Sequence, residues 1–149
     1  MCDACQGAKQ EKTGDLQTPR YFIHPYFDTF SVPQIIHLSI DPPFDKPTFS
    51  LSPNPTLVSG ESELVTTHLR ELDIERRYIV FFKGEHRRLI RLVAQMRTSG
   101  QHIAETIETF RVGAADPTPN CWQHIFYAAV LNNAALMHYL TDEQLPDYP

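Results

Sequence analysis

Residues 70–97 read RELDIERRYIVFFKGEHRRLIRLVAQMR, and the reading of Tyr78-Ile79-Val80-Phe81-Phe82 within them decides the fold. A continuous apolar run of β-branched and aromatic residues, bounded by charge and by Gly84, reads as a central strand covered on both faces. The period changes after it. From Glu85 to about Arg97, helical geometry puts Leu89, Leu92, Val93 and Met96 on one side and Arg87, Arg88, Arg91 and Gln95 on the other. The stretch therefore predicts a strand followed by an amphipathic helix.

The same residues hold the chain's positive charge. Eight of its 13 basic residues lie here (Arg70, Arg76, Arg77, Lys83, Arg87, Arg88, Arg91 and Arg97), with only four of its 18 acidic ones (Glu71, Asp73, Glu75 and Glu85). The formal net charge is −5, so the remainder is strongly acidic. Charge segregated in this way points the search toward an anionic partner.

Working outward, proline divides what precedes this stretch. Pro19, Pro25, Pro33, Pro42, Pro43, Pro47, Pro53 and Pro55 exclude a long helix there, because proline removes a backbone donor and fixes φ. Gln34–Ile40 and Thr48–Leu51 read as short strands that stop at Asp41-Pro42-Pro43 and Ser52-Pro53-Asn54-Pro55. The aromatic-dense segment Tyr21–Phe30 reads as an edge or a packed loop. Residues 1–20 are polar and aperiodic and read as a disordered tail. Ser59 is placed to cap a helix from Gly60 to Leu72, with Leu64, Val65, Leu69 and Leu72 toward the core.

Downstream, Thr98-Ser99-Gly100-Gln101 fits a capping box opening a helix from Gln101 to Val112, with Gly113 as its stop. Thr118-Pro119 then opens one long helix to about Leu140, proline taking the first position. The expected architecture is α+β: a single domain over residues 21–140, a small sheet that includes Tyr78–Phe82, three to four helices, and a C-terminal tail over 141–149. A chain of 149 residues is long enough for one such core and short for two.

The composition narrows the setting. Three cysteines argue against a secreted disulfide scaffold, and the first residues lack the apolar core of a secretory signal. The apolar stretch from Cys121 to Leu140 is interrupted by Gln123, His124, Asn132, Asn133 and His138, so it reads as a buried helix rather than a membrane span. The expected location is the cytoplasm, the nucleus or both.

Three constellations carry functional readings. The last helix has a broad core stripe (Trp122, Ile125, Phe126, Val130, Leu136 and Leu140), into which Asn133 falls and where it needs a hydrogen-bond partner. Its opposite side gathers His124, Tyr127, Leu131 and His138 with no charged neighbour, a composition suited either to full burial or to an interface with a protein partner or a second copy. Arg87, Arg88 and Arg91, extended by Arg76 and Arg77, match phosphate geometry through their guanidinium forks, with a plain solvated helix face as the structural alternative. Cys2 and Cys5 with Cys121 and His124 supply the ligand types of a tetrahedral zinc site, although one pair sits in the polar tail; no metal or cofactor is expected. No GxSxG, P-loop, GxGxxG or HExxH motif is present. The leading expectation is a non-enzymatic regulatory or adaptor protein acting through its C-terminal helix. The alternative is a nucleic-acid-binding protein using the arginine face, and a small enzyme without a familiar motif stands third.

Overall fold

The computed structural model describes residues 22–23, 28–116 and 118–148. Strands β1 (Ile36–Asp41) and β2 (Thr48–Pro53) pair antiparallel, with Leu38 opposite Leu51 and Ile40 opposite Phe49. Five helices follow: α1 (Ser59–Glu71), α2 (Ile74–Ser99), α3 (Ile103–Ala114), α4 (Trp122–Asn132) and α5 (Ala134–Asp142). The class is α+β, as the sequence predicts. The proposed tail over residues 1–20 lies outside the described residues, as do most of Tyr21–Phe27.

One element is corrected, and it is the decisive one. Tyr78–Phe82 is not a strand but the second and third turns of α2. Ile74, Tyr78 and Phe82, then Glu85, His86, Leu89, Ile90, Val93 and Met96, are buried at successive steps of three or four, which is the helical period and not the strand period. Ile79 and Val80 face outward, 38% and 77% exposed. Five contiguous apolar residues have high strand propensity, yet propensity yields to a burial pattern sustained over twenty residues. The sheet is left with two strands among the described residues.

The core forms where the inner face of β1 and β2 meets α2, α4 and α5. Phe49 stacks against Phe82 at 4.5 Å between ring centroids and meets Tyr78 edge-on at 5.5 Å. Fully burying a side chain such as Phe82 contributes about 1.5–3 kcal/mol, so this aromatic group fixes α2 against the sheet. Ile23, Ile35 and Val65 form a smaller cluster that seats α1.

The helix ends depart from expectation in ways that sharpen the picture. Gly100 does not belong to a capping box. It closes α2 in the left-handed region at φ +67°, while the amide of Gln101 donates to the carbonyl of Met96 at 3.0 Å. Gly113 lies inside α3 rather than ending it. The single long helix from Pro119 to Leu140 is two helices. Cys121 caps α4, and Asn133 leaves helical geometry at φ −101°, ψ 95°. Asn133 then caps α5, its Oδ1 accepting from Leu136 N–H at 3.0 Å, and its Nδ2 donates to the Ile40 carbonyl at 2.8 Å. The hydrogen-bond partner that its position required is therefore a strand, which ties the α4–α5 corner to β1.

Beyond α5, Leu145 and Tyr148 pack on the core, and the Tyr148 hydroxyl donates to the Asp45 carbonyl at 2.8 Å. The last segment and the β1–β2 loop thus lie together beside α2.

Candidate interaction surface

Extending α2 back to Ile74 changes what its charges can do. As a strand followed by a helix, Arg76 and Arg77 would point independently of Arg87, Arg88 and Arg91. On one helix, Arg76, Val80, Lys83, Arg87 and Arg91 fall within an arc of about 80°, with Arg77 and Arg88 on its flank. From Arg76 to Arg91 the stripe runs about 22 Å at the helical rise. Apart from half-buried Arg77, these basic residues are exposed. No acidic residue shares the arc: Glu85 is on the buried side, and Asp73 and Glu75 lie at the helix start. The structure thus brings together all five arginines singled out in the sequence and adds Lys83.

Some of these cations are engaged locally. Arg76 pairs with Asp73 across one exposed turn. Arg88 meets Glu85 at 3.2 Å with about half of its own side chain in solvent. The Arg87 guanidinium lies 6.0 Å from the centre of the Tyr148 ring. The Arg76–Asp73 pair is exposed on both sides and contributes about 0–1 kcal/mol, so an incoming anion displaces it at little cost, whereas Arg88 stays with buried Glu85.

Two depressions border the stripe. An open groove of about 650 Å³ runs between the start of β2 and α2, with Phe49, Ile79 and Phe82 as its apolar wall, Arg76 and Lys83 in its lining, and Asp73 and Glu75 at the end where α2 begins. A smaller pocket of about 310 Å³ continues from it past Pro47, Phe82 and Lys83 toward Tyr148. Together they give the basic face an apolar seat.

The residues expected on the outer side of the C-terminal helix do not form one surface. His124 is buried, its Nδ1 2.9 Å from the Arg111 carbonyl, which makes that nitrogen the donor. Its Nε2 faces the Arg111 guanidinium at 3.4 Å. Tyr127 is buried at 3% exposure, and its hydroxyl donates to the Glu85 carboxylate. Burial first, and the bond to Glu85 second, push that hydroxyl well above the ordinary tyrosine range. Leu131 is half-buried against the core, and His138 is exposed with its Nδ1 2.8 Å from Asp142. The uncharged side of α4 is uncharged because α2 and α3 cover it.

Cys2 and Cys5 lie outside the described residues. Cys121 accepts the His124 amide as the cap of α4 and donates to the Ala114 carbonyl, so thiol and imidazole both serve the α3–α4 corner. Among the described residues no three His, Cys, Asp or Glu side chains converge as a metal site, and no helix is long and apolar enough to cross a membrane.

His86 has no partner at metal-ligand spacing in the sequence, so spacing alone does not single it out. The signal that finds it is the buried series Tyr78, Phe82, His86 and Leu89 along α2, which puts a titratable group on the core side of a basic helix. Val80 is found by the same series, as the apolar residue on the wrong side.

No family model matches this chain, and no curated protein and no solved structure is significantly similar to it.

Proposed function

We propose that this chain is a non-enzymatic regulatory or adaptor protein that captures an acidic, partly apolar segment of a partner protein on the outer face of α2. The observation that carries the reading is a single helix face with Arg76, Lys83, Arg87 and Arg91 in line around exposed Val80, and no acid among them. Charge of one sign steers an oppositely charged partner and sets its register, while a desolvated apolar anchor supplies most of the affinity. Ile79, Val80 and the groove wall at Phe49 offer that anchor's seat. The surface therefore sits on α2 rather than on the C-terminal helices, where His124 and Tyr127 are committed to packing.

Nucleic acid is the second reading, favoured by the arginine spacing alone. Single-strand binders stack bases on exposed aromatic rings, whereas the exposed centre of this face is aliphatic. A net negative chain also repels a polyphosphate at long range.

The test is fluorescence anisotropy with a labelled 14-residue peptide that places leucine at every third or fourth position among glutamates. It is compared with single- and double-stranded RNA of similar charge. The proposal expects peptide binding that is lost in Arg87→Glu/Arg91→Glu and weakened about tenfold in Val80→Ser, with the variants folded. RNA binding that ignores Val80→Ser, with no peptide binding, transfers the face to the second reading.

A further inference from the structure

The smaller pocket at the C-terminal end of the groove holds the one histidine of α2 that is both buried and incompletely bonded. His86 is 4% exposed, and its Nε2 has no hydrogen-bond partner among the described residues. The ring stacks on Phe82 with centroids 6.2 Å apart and planes 19° apart. In the tautomer protonated on Nδ1, neutral His86 keeps a lone pair on Nε2. A buried acceptor of this kind is ordinarily satisfied, so its vacancy calls for a donor.

The charged groups around it come from every element that meets there. Lys83 and Arg87 project from α2, Lys46 and Asp45 from the β1–β2 loop, and Tyr148 closes the outer side under the Arg87 guanidinium. Three cations against one carboxylate leave the lining with a net charge of two positive units while His86 is neutral.

We infer that this pocket binds a phosphomonoester. Near its second pKa the group carries between one and two negative charges, which the positive lining accommodates, and its terminal oxygens accept from lysine and arginine together. It also brings the missing donor. A phosphomonoester titrates near pH 6, so its monoanion holds one P–O–H proton at the pH where Nε2 can share it. A carboxylate is proton-free at that pH and carries one charge, and sulfate has the charge and shape of phosphate without the proton. The proton between ligand oxygen and Nε2 is therefore the element of recognition that separates these anions. Burial, and the nearby Arg87, keep His86 in the neutral form that accepts it. Nε2 is buried in the empty pocket, so the ligand reaches it by a rearrangement of the lining side chains.

This inference rests on the reading of the α2 face as an anion-capturing surface, and the source of the phosphate is a phosphorylated side chain in the captured segment or a free phosphorylated small molecule. The experiment is calorimetric titration of the full chain at pH 6.5 with four probes: the leucine–glutamate peptide carrying one phosphoserine, the same peptide with serine, inorganic phosphate and inorganic sulfate. Nitrogen-15 NMR of the histidine side chains is recorded alongside. The expected result is at least a tenfold gain on phosphorylation, a preference for phosphate over sulfate, and a shift of the His86 Nε2 resonance on binding. Lys83→Ala/Arg87→Ala should remove the phosphorylation gain, and His86→Phe should remove the preference over sulfate. Lys46→Glu, on an exposed loop, tests the charge of the lining separately and should weaken phosphate and phosphopeptide binding even if His86→Phe fails to fold. Free phosphate binding as tightly as the phosphopeptide assigns the site to a small molecule and upholds the pocket. Equal affinity for phosphorylated and unphosphorylated peptides, together with equal binding of phosphate and sulfate, overturns it. Phosphate binding without any binding of the serine peptide upholds the pocket and removes the adaptor reading instead.

Discussion

The Tyr127 hydroxyl on α4 donates to Glu85 on α2, and the same carboxylate oxygen receives Arg88 at 3.2 Å. Glu85 is 7% exposed, and donors from two sides take the place of water at its carboxylate oxygen. This contact joins the basic helix to the helix once expected to be a free surface.

Removing the donor alone exposes the cost. Tyr127→Phe leaves the ring packed and the carboxylate short of one bond, so unfolding in urea should show a loss of about 1–3 kcal/mol. Glu85→Gln with Tyr127→Phe should lose less than the two single changes together, since the pair shares one interaction. Strict additivity would mean that the contact does not form in solution. Tyr127→Ala should unfold the domain rather than abolish partner capture selectively, which separates this arrangement from a C-terminal interface.

Arg97 holds the far end of α5 in a similar way. Its guanidinium donates to the carbonyls of Leu140 and Tyr139, the latter at 3.1 Å, and to Glu143 at 2.7 Å. Carbonyls at a helix end mostly lack internal partners, although that of Tyr139 also accepts the Glu143 amide, and the cation meets the negative end of the helix dipole. Arg97→Ala should cost about 1–3 kcal/mol and speed hydrogen exchange in residues 136–143 selectively. Uniform acceleration across the chain would argue against a local cap. One arginine of the basic stretch is thus structural and stands outside the proposed interface.

How much of this was legible in the sequence differs by residue, for physical reasons. β1, β2 and α1 were readable because their signals are local, short strand-like runs beside prolines and spaced leucines, although Val58 rather than Ser59 is the cap of α1 and β2 runs on through Pro53. Tyr78–Phe82 was misread because a five-residue window holds a strand-like composition, while the helical evidence lies in Ile74, Phe82, His86 and Leu89, spread over four turns. Asn133 announced a need for a partner, but that the partner was Ile40 of β1, and that meeting it broke the helix, depended on a contact across 93 positions. The uncharged side of α4 was read correctly as unusual. Its composition was equally suited to burial and to an interface, and only the position of α2 and α3 over His124 and Tyr127 shows how it is used.

Gly84 tests the corrected element directly. It sits in the middle of α2, and a methyl group built on it meets no atom within 4 Å. In a helix interior Gly84→Ala should stabilise the fold by about 0.5–1 kcal/mol, seen as a higher urea midpoint with unchanged slope. Had Tyr78–Phe82 been a strand ending in a turn at Gly84, the same change would have been neutral or costly. A lower midpoint would therefore count against a continuous α2.

The buried histidine gives the fold a pH dependence whose sign is fixed by its environment. Burial lowers the affinity of His86 for a proton below the ordinary value of 6.5; Arg87 adds to the effect, and the Phe44 carbonyl and Asp45 partly oppose it. Between the folded and unfolded values the unfolded chain binds more protons, so acidification favours unfolding over that interval. Stability contributed by neutral His86 is present above pH 6.5 and is lost progressively as the pH falls below it, until the folded group also titrates. Glu108 acts at more acid pH: the Arg111 hydrogen bond holds its carboxyl below the ordinary 4.5, so its contribution is lost only below that value. Urea midpoints measured from pH 8 to pH 3 should therefore fall in two stages, a first below pH 6.5 and a smaller one below 4.5 from exposed Glu108. His86→Phe should flatten the first and leave the second in place. If that variant keeps the full decline below pH 6.5, the pH sensitivity belongs to another histidine, and the neutral state on which phosphate recognition depends loses its support.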